Sequence, residues 1–294
     1  MSRFFRNICF YFLLASYFFS PIESAAQATI DTKNIVYAEA GNRKLLLDIY
    51  MPPSEKSPFL IVWVHGGAWH SGTKESPPLE LLSVGYAIAS IDFRVSTEAH
   101  FPAQVHDIKA AIRFLRGNAN KYGYRQDKII IWGSSSGGHL AALVVTTNSD
   151  SYMEGNEGNY LKESSSVQGI IDFYGPTNFL TILNQSTPHG INVRAPALAI
   201  LLGKPVEQAE DLAKKASPVY QVDPSDPPIL IVHGEQDIQV PINQSLELMS
   251  VYKKNSLPVQ FEVIPGAGHG GDVFYKTDGL VWMKAFLKNV LEKK

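Results

Sequence analysis

The stretch that most constrains the fold of this chain is residues 128–143, with the sequence KIIIWGSSSGGHLAAL. Its apolar residues 129–132 predict a short buried strand, and the small and apolar residues from position 139 onward predict a helix. Between them, residues 133–137 read GSSSG, which is the G-x-S-x-G pattern of a nucleophile elbow. Such a turn lifts Ser135 to the carboxyl end of the strand, beside a helix N-terminus that favours developing negative charge.

The G-x-S-x-G pattern alone is weak evidence, because three fixed Gly and Ser positions occur by chance in roughly one of ten chains of this length. A loop rich in glycine and serine is the structural alternative. A nucleophilic serine also needs a base, and an acid that orients the base. Two segments downstream offer them, HGEQDIQVP at residues 233–241 and GAGHG at residues 266–270, each after a predicted strand. They give the chain order Ser135, Asp237, His269 that is expected for a serine nucleophile on an α/β sheet.

Strands and helices alternate along most of the chain. After an antiparallel hairpin at residues 34–40 and 44–50, apolar runs predict strands at 59–64, 86–91, 129–132, 167–173, 229–232 and 259–264. Helical patterns predict a short helix at 77–84 and further helices at 102–122, 139–145, 243–254 and 278–292. The alternation predicts an α/β fold with a mostly parallel central sheet, helices on both faces, and reactive groups beyond the carboxyl ends of the strands.

Residues 177–221 depart from this regular alternation. They contain four prolines, at positions 188, 196, 205 and 218, and one helical piece at about 195–202. We interpret this segment as a small insertion that folds over the site as a cap, and a long surface crossover is the alternative. The sequence therefore predicts one α/β domain over residues 29–294, with a cap-like insertion at about 177–221.

The first 28 residues have the pattern of a secretory signal peptide. Two arginines precede an apolar run at residues 8–19, which is short for a membrane span, and small residues at 24–28 offer cleavage sites. An uncleaved N-terminal anchor is the alternative. Cleavage predicts an exported protein, periplasmic or secreted, with no stable membrane anchor. The single cysteine, Cys9, lies inside this segment, so the mature chain is expected to have no disulfide.

Charge and histidine content argue against several kinds of partner. The formal net charge is −2 and no run of basic residues occurs, so we predict no nucleic-acid binding. The 8 histidines form no H-E-x-x-H motif and no ligand cluster, so we predict no metal site. The sequence implies no cofactor, and it leaves the oligomeric state open.

Taken together, these motifs resemble the α/β-hydrolase superfamily, near the hormone-sensitive-lipase-like and the bacterial acetyl and feruloyl esterases. The resemblance runs from residues 47–50 to the final helix, with HGG, G-x-S-x-G, HGxxDxxVP and GxGH in this order. It implies that Ser135 is the nucleophile, that His269 is the general base, and that Asp237 orients and stabilises the histidine. Asp272 is the alternative acid, but it lies only three residues beyond the histidine, and we assign it to the loop.

The same resemblance implies an oxyanion hole made of backbone N–H groups. Ser136, directly after the nucleophile, would supply one, and Gly67 and Ala68 in the HGGAW loop at residues 65–69 would supply the others. Ala68 stands where many relatives have a third glycine, but an alanine keeps its N–H. Trp69 has two interpretations, as part of the acyl pocket or as a side chain packed beneath the cap, and we name it as a candidate pocket residue.

Other polar residues near these motifs are given structural roles. We expect His65 and His233 to hydrogen-bond within their own loops. Asp107 is expected to make a structural hydrogen bond. Asp92 and Arg94 are expected to form an ion pair beneath the site.

The resulting hypothesis is a serine carboxylesterase that works through an acyl-enzyme. The export pattern and the resemblance point to small acyl groups, acetyl or feruloyl, on plant polysaccharide or on similar small esters. An amidase or formamidase with the same triad is one alternative, and a non-catalytic binding module with a hydrolase-like fold is another. The expected partner is thus a small-molecule ester or an acylated carbohydrate.

Overall fold

The computed structural model describes residues 29–292, except residues 54 and 149. The predicted signal peptide at residues 1–28 lies outside the described residues. The described chain forms an 8-stranded sheet in the order β1-β2-β4-β3-β5-β6-β7-β8. The strands are β1 (Thr29–Ala40), β2 (Arg43–Met51), β3 (Phe59–Val64), β4 (Ala87–Ile91), β5 (Arg125–Ser134), β6 (Gly169–Phe173), β7 (Ile229–Gly234) and β8 (Val259–Ile264).

Pairing in the sheet is antiparallel only at one edge. β1 pairs with β2 and β2 pairs with β4 in antiparallel register. From β4 onward through β3, β5, β6, β7 and β8, every pair of adjacent strands is parallel. Parallel strands need crossover connections, usually helices, which cover both faces of the sheet. The mostly parallel α/β architecture predicted from the sequence is confirmed.

The helices follow the strands in chain order. They are α1 (Ala103–Gly117), α2 (Ala119–Tyr122), α3 (Ser136–Thr146), α4 (Ser151–Glu154), α5 (Ile182–Gln185), α6 (Pro188–Leu202), α7 (Glu210–Lys215), α8 (Asn243–Lys254), α9 (Val273–Lys276) and α10 (Asp278–Leu291), with 3-10 turns at Glu80–Val84, Val206–Gln208 and Pro218–Tyr220. No helix within these described ranges is long and apolar enough to cross a bilayer.

The core lies on both faces of the sheet because the central strands are largely apolar, and β3 is apolar at every position. In β3, Leu60 and Val62 point to the face covered by α1, α3 and α8, while Ile61 and Trp63 point to the face covered by α10. This alternation follows from the two-residue period of a strand. Burial on both faces makes β3 and its neighbours a rigid frame, and their carboxyl ends carry the loops described below.

Several helix predictions were wrong in their bounds. Residues 77–84 form a 3-10 turn only from Glu80 onward, and the helix predicted at 139–145 begins at Ser136. The helix predicted over residues 102–122 is interrupted after Gly117, where the side chain of Asn118 donates a hydrogen bond to the carbonyl of Phe114 (2.8 Å). The helix predicted at 195–202 begins earlier, at Pro188. Proline is favoured at the first position of a helix, and the Thr187 hydroxyl caps this helix by accepting from the Gly190 N–H (3.1 Å).

The segment 177–221, which we call the cap segment, contains α5, α6 and α7. Its helix α6 reaches the carboxyl edge of the sheet, where Thr187 Oγ1 donates to the carbonyl of Ile238 in the loop after β7 (3.1 Å). The cap segment also supplies buried apolar side chains to the core, among them Phe179 and Leu198. These contacts place α6 beside the loops that carry the predicted catalytic residues.

Candidate active site

The turn between β5 and α3 holds Ser135 in a strained conformation. Its φ is 54° and its ψ is −124°, a left-handed conformation that costs about 1–3 kcal/mol in a residue other than glycine. Close packing around the turn requires glycine at both flanks: a Cβ on Gly133 would lie 2.2 Å from the carbonyl oxygen of Gly137, and one on Gly137 would lie 2.1 Å from that of Val64. The elbow predicted from the sequence is present, with Ser135 at its apex.

Loops after β5, β7 and β8 bring three predicted residues into a continuous chain of hydrogen bonds. His269 Nε2 lies 2.8 Å from Ser135 Oγ, and His269 Nδ1 lies 2.6 Å from Asp237 Oδ2. With the proton on Nδ1 donated to the carboxylate, Nε2 is free to accept from the serine hydroxyl. This is the geometry that activates a serine by a neighbouring base.

The second oxygen of Asp237 is held by its own loop. Asp237 Oδ1 accepts hydrogen bonds from the backbone N–H groups of Gln239 (2.8 Å) and Val240 (2.9 Å). Burial opposes ionisation of Asp237, but hydrogen bonds from His233, His269 and Val240 outweigh that burial and hold its pKa well below the usual range. Asp237 is therefore a carboxylate at neutral pH and can stabilise a protonated histidine.

The predicted oxyanion donors lie around Ser135. Gly67 and Ala68 line the same cavity as the serine, and their positive φ angles, 121° and 50°, turn the HGGAW loop tightly. A Cβ on Gly67 would lie 2.2 Å from the carbonyl oxygen of Ser71, so this turn requires glycine. Ser136 is the first residue of α3, where a helix leaves backbone N–H groups without an internal acceptor.

Tyr174, which the sequence analysis missed, packs against the histidine. It follows β6 with a φ of 45°, and its ring meets the His269 ring edge-on, with centroids 4.8 Å apart. The Tyr174 hydroxyl lies 2.9 Å from that of Tyr275, and burial raises the pKa of Tyr174 well above its usual range. Its position directly after a predicted strand was a signal that could have found it.

A cavity of about 390 Å³ opens at these residues. Its walls come from the strand loops and from helix α6 of the cap segment. The lining residues are Gly67, Ala68, Ser71, Ser134, Ser135, Tyr174, Val193, Arg194, Gln239 and His269. The cap segment therefore contributes to the site through Val193 and Arg194, neither of which belongs to a recognisable sequence motif.

Trp69 is not a wall of this cavity, so its assignment as a pocket residue was wrong. Its side chain is only 1% exposed, and its indole N–H donates to His139 Nδ1 (3.0 Å). Its ring meets that of Phe179 in the cap segment edge-on, at 5.4 Å between centroids. The structure therefore favours the other interpretation, in which Trp69 packs beneath the cap segment.

The predicted ion pair between Asp92 and Arg94 was also wrong. Arg94 Nη2 lies 2.6 Å from Asp107 Oδ1 and 3.0 Å from Glu157 Oε1. Asp92 instead accepts from the backbone N–H of Lys74 (2.7 Å). Asp107 is fully buried, and a buried carboxylate needs a charged or hydrogen-bonding partner more than an exposed one does.

Three further polar residues lie where structural roles were expected. His65 Nδ1 lies 2.8 Å from the carbonyl oxygen of Gly66. His233 is buried between Ser245 Oγ (2.7 Å) and the carbonyl oxygen of Val240 (2.9 Å). Asp272, the alternative acid, is exposed and pairs with Lys276 (2.8 Å). The described residues contain no group of three or more His, Cys, Asp and Glu side chains that could hold a metal ion.

The fold and this site together define an α/β-hydrolase with a serine–histidine–aspartate arrangement. The model of one family of such proteins, BD-FAE, matches residues 47–252. The chain therefore belongs to the BD-FAE family.

Curated relatives of the chain are named as esterases. Esterase LipC of Mycobacterium tuberculosis is 31% identical over 238 residues, which are 78% of this chain and 57% of LipC. Esterase LipQ of the same organism is 30% identical over 251 residues, 82% of this chain and 58% of LipQ. The chain thus spans little more than half the length of the curated relatives it matches.

Solved structures extend the similarity to almost the whole chain. A truncated carbohydrate esterase from gut microbiota superposes with a TM-score of 0.82 and 35% identity, covering 91% of this chain and 99% of that one. Esterase 2 of Thermogutta terrifontis, phosphorylated by paraoxon, superposes with a TM-score of 0.70 and 27% identity, covering 88% of this chain and 94% of that one. These neighbours share the α/β-hydrolase fold found here.

Proposed function

We propose that this chain hydrolyses carboxylic esters through a covalent acyl-enzyme on Ser135. The observation that carries the proposal is the hydrogen-bonded chain from Ser135 through His269 to Asp237, with distances of 2.8 and 2.6 Å, at the wall of a cavity. The esterase names of the relatives support the proposed chemistry. The paraoxon-phosphorylated structure supports it as well, because organophosphates react with activated nucleophiles of this kind.

In the first half of the reaction, Ser135 Oγ attacks the ester carbonyl carbon while His269 Nε2 takes the hydroxyl proton. The carbonyl oxygen becomes an oxyanion, which the N–H groups of Gly67, Ala68 and Ser136 stabilise. One donor of this kind is typically worth about 2.7–4 kcal/mol in the transition state. The bond to the alcohol oxygen then breaks, and His269 gives its proton to that oxygen.

In the second half, a water molecule attacks the acyl-enzyme and His269 Nε2 takes its proton. The second tetrahedral intermediate collapses to the carboxylic acid, and the proton returns to Ser135 Oγ. Asp237 stays ionised throughout, because its hydrogen bonds keep its pKa well below the usual range. Its role is to hold the imidazole orientation and to stabilise the imidazolium that forms twice in each turnover.

The substrates we propose are short acyl esters, acetyl or feruloyl, on plant polysaccharide or on similar small alcohols. Two structural neighbours support this class: the carbohydrate esterase from gut microbiota, and an acetyl ester-xyloside bifunctional hydrolase from Caldicellulosiruptor lactoaceticus at 25% identity and a TM-score of 0.68. We further propose export of the chain on the pattern of residues 1–28. N-terminal sequencing of the protein recovered from the periplasm and medium tests cleavage there.

The test of the proposed function combines labelling with a substrate panel. A fluorophosphonate probe is expected to modify Ser135 in the wild type and in Ser134→Ala, but not in Ser135→Ala. The panel contains 4-nitrophenyl acetate, methyl ferulate, acetylated xylan and N-formylkynurenine, and Ser135→Ala is expected to lower ester turnover by at least about 10⁵-fold.

Two outcomes would contradict the proposal. A wild type that neither reacts with the probe nor cleaves any ester is a binding module. A wild type that cleaves N-formylkynurenine but no ester is an amidase or formamidase with the same triad. Circular dichroism of Ser135→Ala is the control that its fold is intact.

A further inference from the structure

Helix α6 of the cap segment places one arginine in the wall of the active-site cavity. Arg194 lines that cavity together with Ser135 and His269, yet only 1% of the residue is exposed. Its guanidinium is anchored at one side by Gln239, with Nε 3.2 Å from the Gln239 carbonyl oxygen and Nη2 3.3 Å from Gln239 Oε1. The side chain therefore has a fixed position at the edge of the space that a substrate would occupy.

The remaining nitrogen of this guanidinium has no partner. Nη1 of Arg194 is buried and makes no hydrogen bond within the described part of the chain. The carboxylate that acts on Arg194 electrostatically is Asp237, but the Asp237 oxygens are already occupied by His269 and by backbone N–H groups. Arg194 thus leaves its two Nη1 protons unused in the wall of the cavity that Ser135 also lines.

A buried cation with unused donors is an unusual feature. Buried charges in proteins are normally paired, because an unpaired one loses its hydration without compensation. Burial lowers the pKa of Arg194 to about 10, and the Asp237 carboxylate opposes that shift, so the guanidinium stays positively charged at neutral pH. Guanidinium groups form their strongest hydrogen bonds with anionic oxygens, those of carboxylates and phosphates, and a carboxylate is the anionic group of acidic sugars.

We propose that Arg194 binds a carboxylate of the substrate, so that the preferred esters carry an anionic group close to the scissile bond. The proposal rests on the ester hydrolysis proposed above and names a substrate class within it. The carboxylate can belong to the acyl part or to the alcohol part of the ester, for example an acidic sugar. Because Arg194 and Ser135 line the same cavity, we expect the anionic group within a few bonds of the ester.

The test compares matched charged and neutral esters in two arms. The acyl arm compares 4-nitrophenyl hydrogen fumarate with the matching 4-nitrophenyl fumaramate, because the trans double bond keeps the carboxylate away from its own ester. The alcohol arm compares 4-acetoxybenzoate with 4-acetoxybenzamide. Each kcat/KM is divided by the rate constant for hydroxide hydrolysis of the same ester, which corrects for intrinsic reactivity. We expect the wild type to prefer the charged ester about 10-fold or more in one arm, as for a hydrogen bond to a charged group.

Variants at Arg194 test whether this residue causes the preference. Arg194→Gln is expected to reduce the charged-to-neutral ratio to about 1, and Arg194→Lys, which keeps the charge, is expected to retain part of it. Arg43→Gln is the matched control, because Arg43 carries the same charge on the surface, paired with Glu98 at 3.0 Å. Its ratio is expected to equal that of the wild type.

A measurement on the wild type alone keeps the proposal testable if the variants fold poorly. Benzoate is expected to inhibit hydrolysis of 4-nitrophenyl acetate at least about 10-fold more strongly than benzamide does. Two results would overturn the inference: no charge preference in either arm, or a charged-to-neutral ratio that Arg194→Gln leaves unchanged, as in an equal loss on both esters. An equal loss on both would assign Arg194 to bracing the Gln239 loop. If the wild type cleaves no ester at all, including 4-nitrophenyl acetate, the proposed function itself fails.

Discussion

The two walls of the active-site cavity are built in different ways. The sheet wall consists of loops at the carboxyl ends of the strands, and it holds Ser135, His269 and the glycine turn at Gly67. The cap wall is helix α6, with Val193 and Arg194. Backbone geometry fixes the sheet wall, since its turns leave no room for a Cβ at Gly67 or Gly137, whereas side-chain contacts fix the cap wall. On the proposals made above, the residues of the sheet wall carry out the reaction, and the residues of the cap wall select the ester.

Among the variants that test the contrast between the two walls, Asp237→Asn is expected to have the largest effect on kcat. Loss of the carboxylate removes the group that orients His269 and stabilises its protonated form, so kcat is expected to fall by about 10⁴-fold. Charged and neutral esters are expected to lose the same factor, in contrast to changes at Arg194. Steady-state kinetics on the matched esters measure both quantities.

Asp272→Asn is the matched control for that variant. Asp272 lies three residues beyond His269, but it is exposed and paired with Lys276. Its removal is expected to change kcat less than 2-fold, which is typical of surface substitutions. A larger loss in Asp272→Asn than in Asp237→Asn would exchange the roles of the two carboxylates.

The close packing of the sheet wall predicts that a substitution at Gly137 lowers the free energy of unfolding. In Gly137→Ala the new Cβ would meet the carbonyl oxygen of Val64 at 2.1 Å, and overpacking of this kind costs typically about 1–3 kcal/mol or more of unfolding free energy. Gly268→Ala is the control, because the atom nearest to its Cβ would lie 4.0 Å away. Urea denaturation of both variants measures the difference. Equal stabilities would show that the elbow can relax, and would remove the contrast between the walls.

The smallest expected effect concerns stability against acid. The folded-state pKa of Asp237 lies below the usual range because of its hydrogen bonds, so its ionised form stabilises the fold at neutral pH. That contribution is present above the ordinary carboxyl pKa of about 3.9 and is lost as pH falls toward the lower folded-state value. The stability advantage of the wild type over Asp237→Asn is therefore expected to shrink as the pH falls from about 5 to about 2. An advantage that is constant over this range would contradict the depressed pKa.

The sheet wall could be predicted from the sequence to a large extent. Strand β3, strand β8 and helix α8 have the bounds that hydrophobic patterning predicted. Buried strands appear in a sequence as short apolar runs, and amphipathic helices as apolar residues spaced three or four apart. The predicted site residues Ser135, Asp237 and His269 stand in turns that contain glycine, and these turns restrict the local sequence to recognisable motifs. Gly137 and Gly234, for example, leave no room for a Cβ.

The cap wall could not be predicted in the same way. The environment of Arg194 is made by residues that are distant in the sequence, such as Gln239. No local sequence motif therefore indicates that this guanidinium lies in the cavity wall. Trp69 was misplaced for the same reason, since its partners His139 and Phe179 lie far along the chain. The predicted partner of Arg94 was wrong because two carboxylates, those of Asp92 and Asp107, lie near it in the sequence. The packing of helix α1, which carries Asp107, decides between them.

Gln239 has a consequence for anyone who wishes to transplant a foreign cap onto this scaffold. Its backbone N–H holds Asp237 at 2.8 Å, while its carbonyl oxygen and its side-chain oxygen accept from Arg194. A graft that replaces α6 without a donor at position 194 removes the protein donor from both of these acceptors, and so loosens the loop that holds the acid. The junction of a chimera is therefore residue 239 rather than the ends of the cap segment, and a swap that exchanges Gln239 together with α6 keeps the acid loop intact.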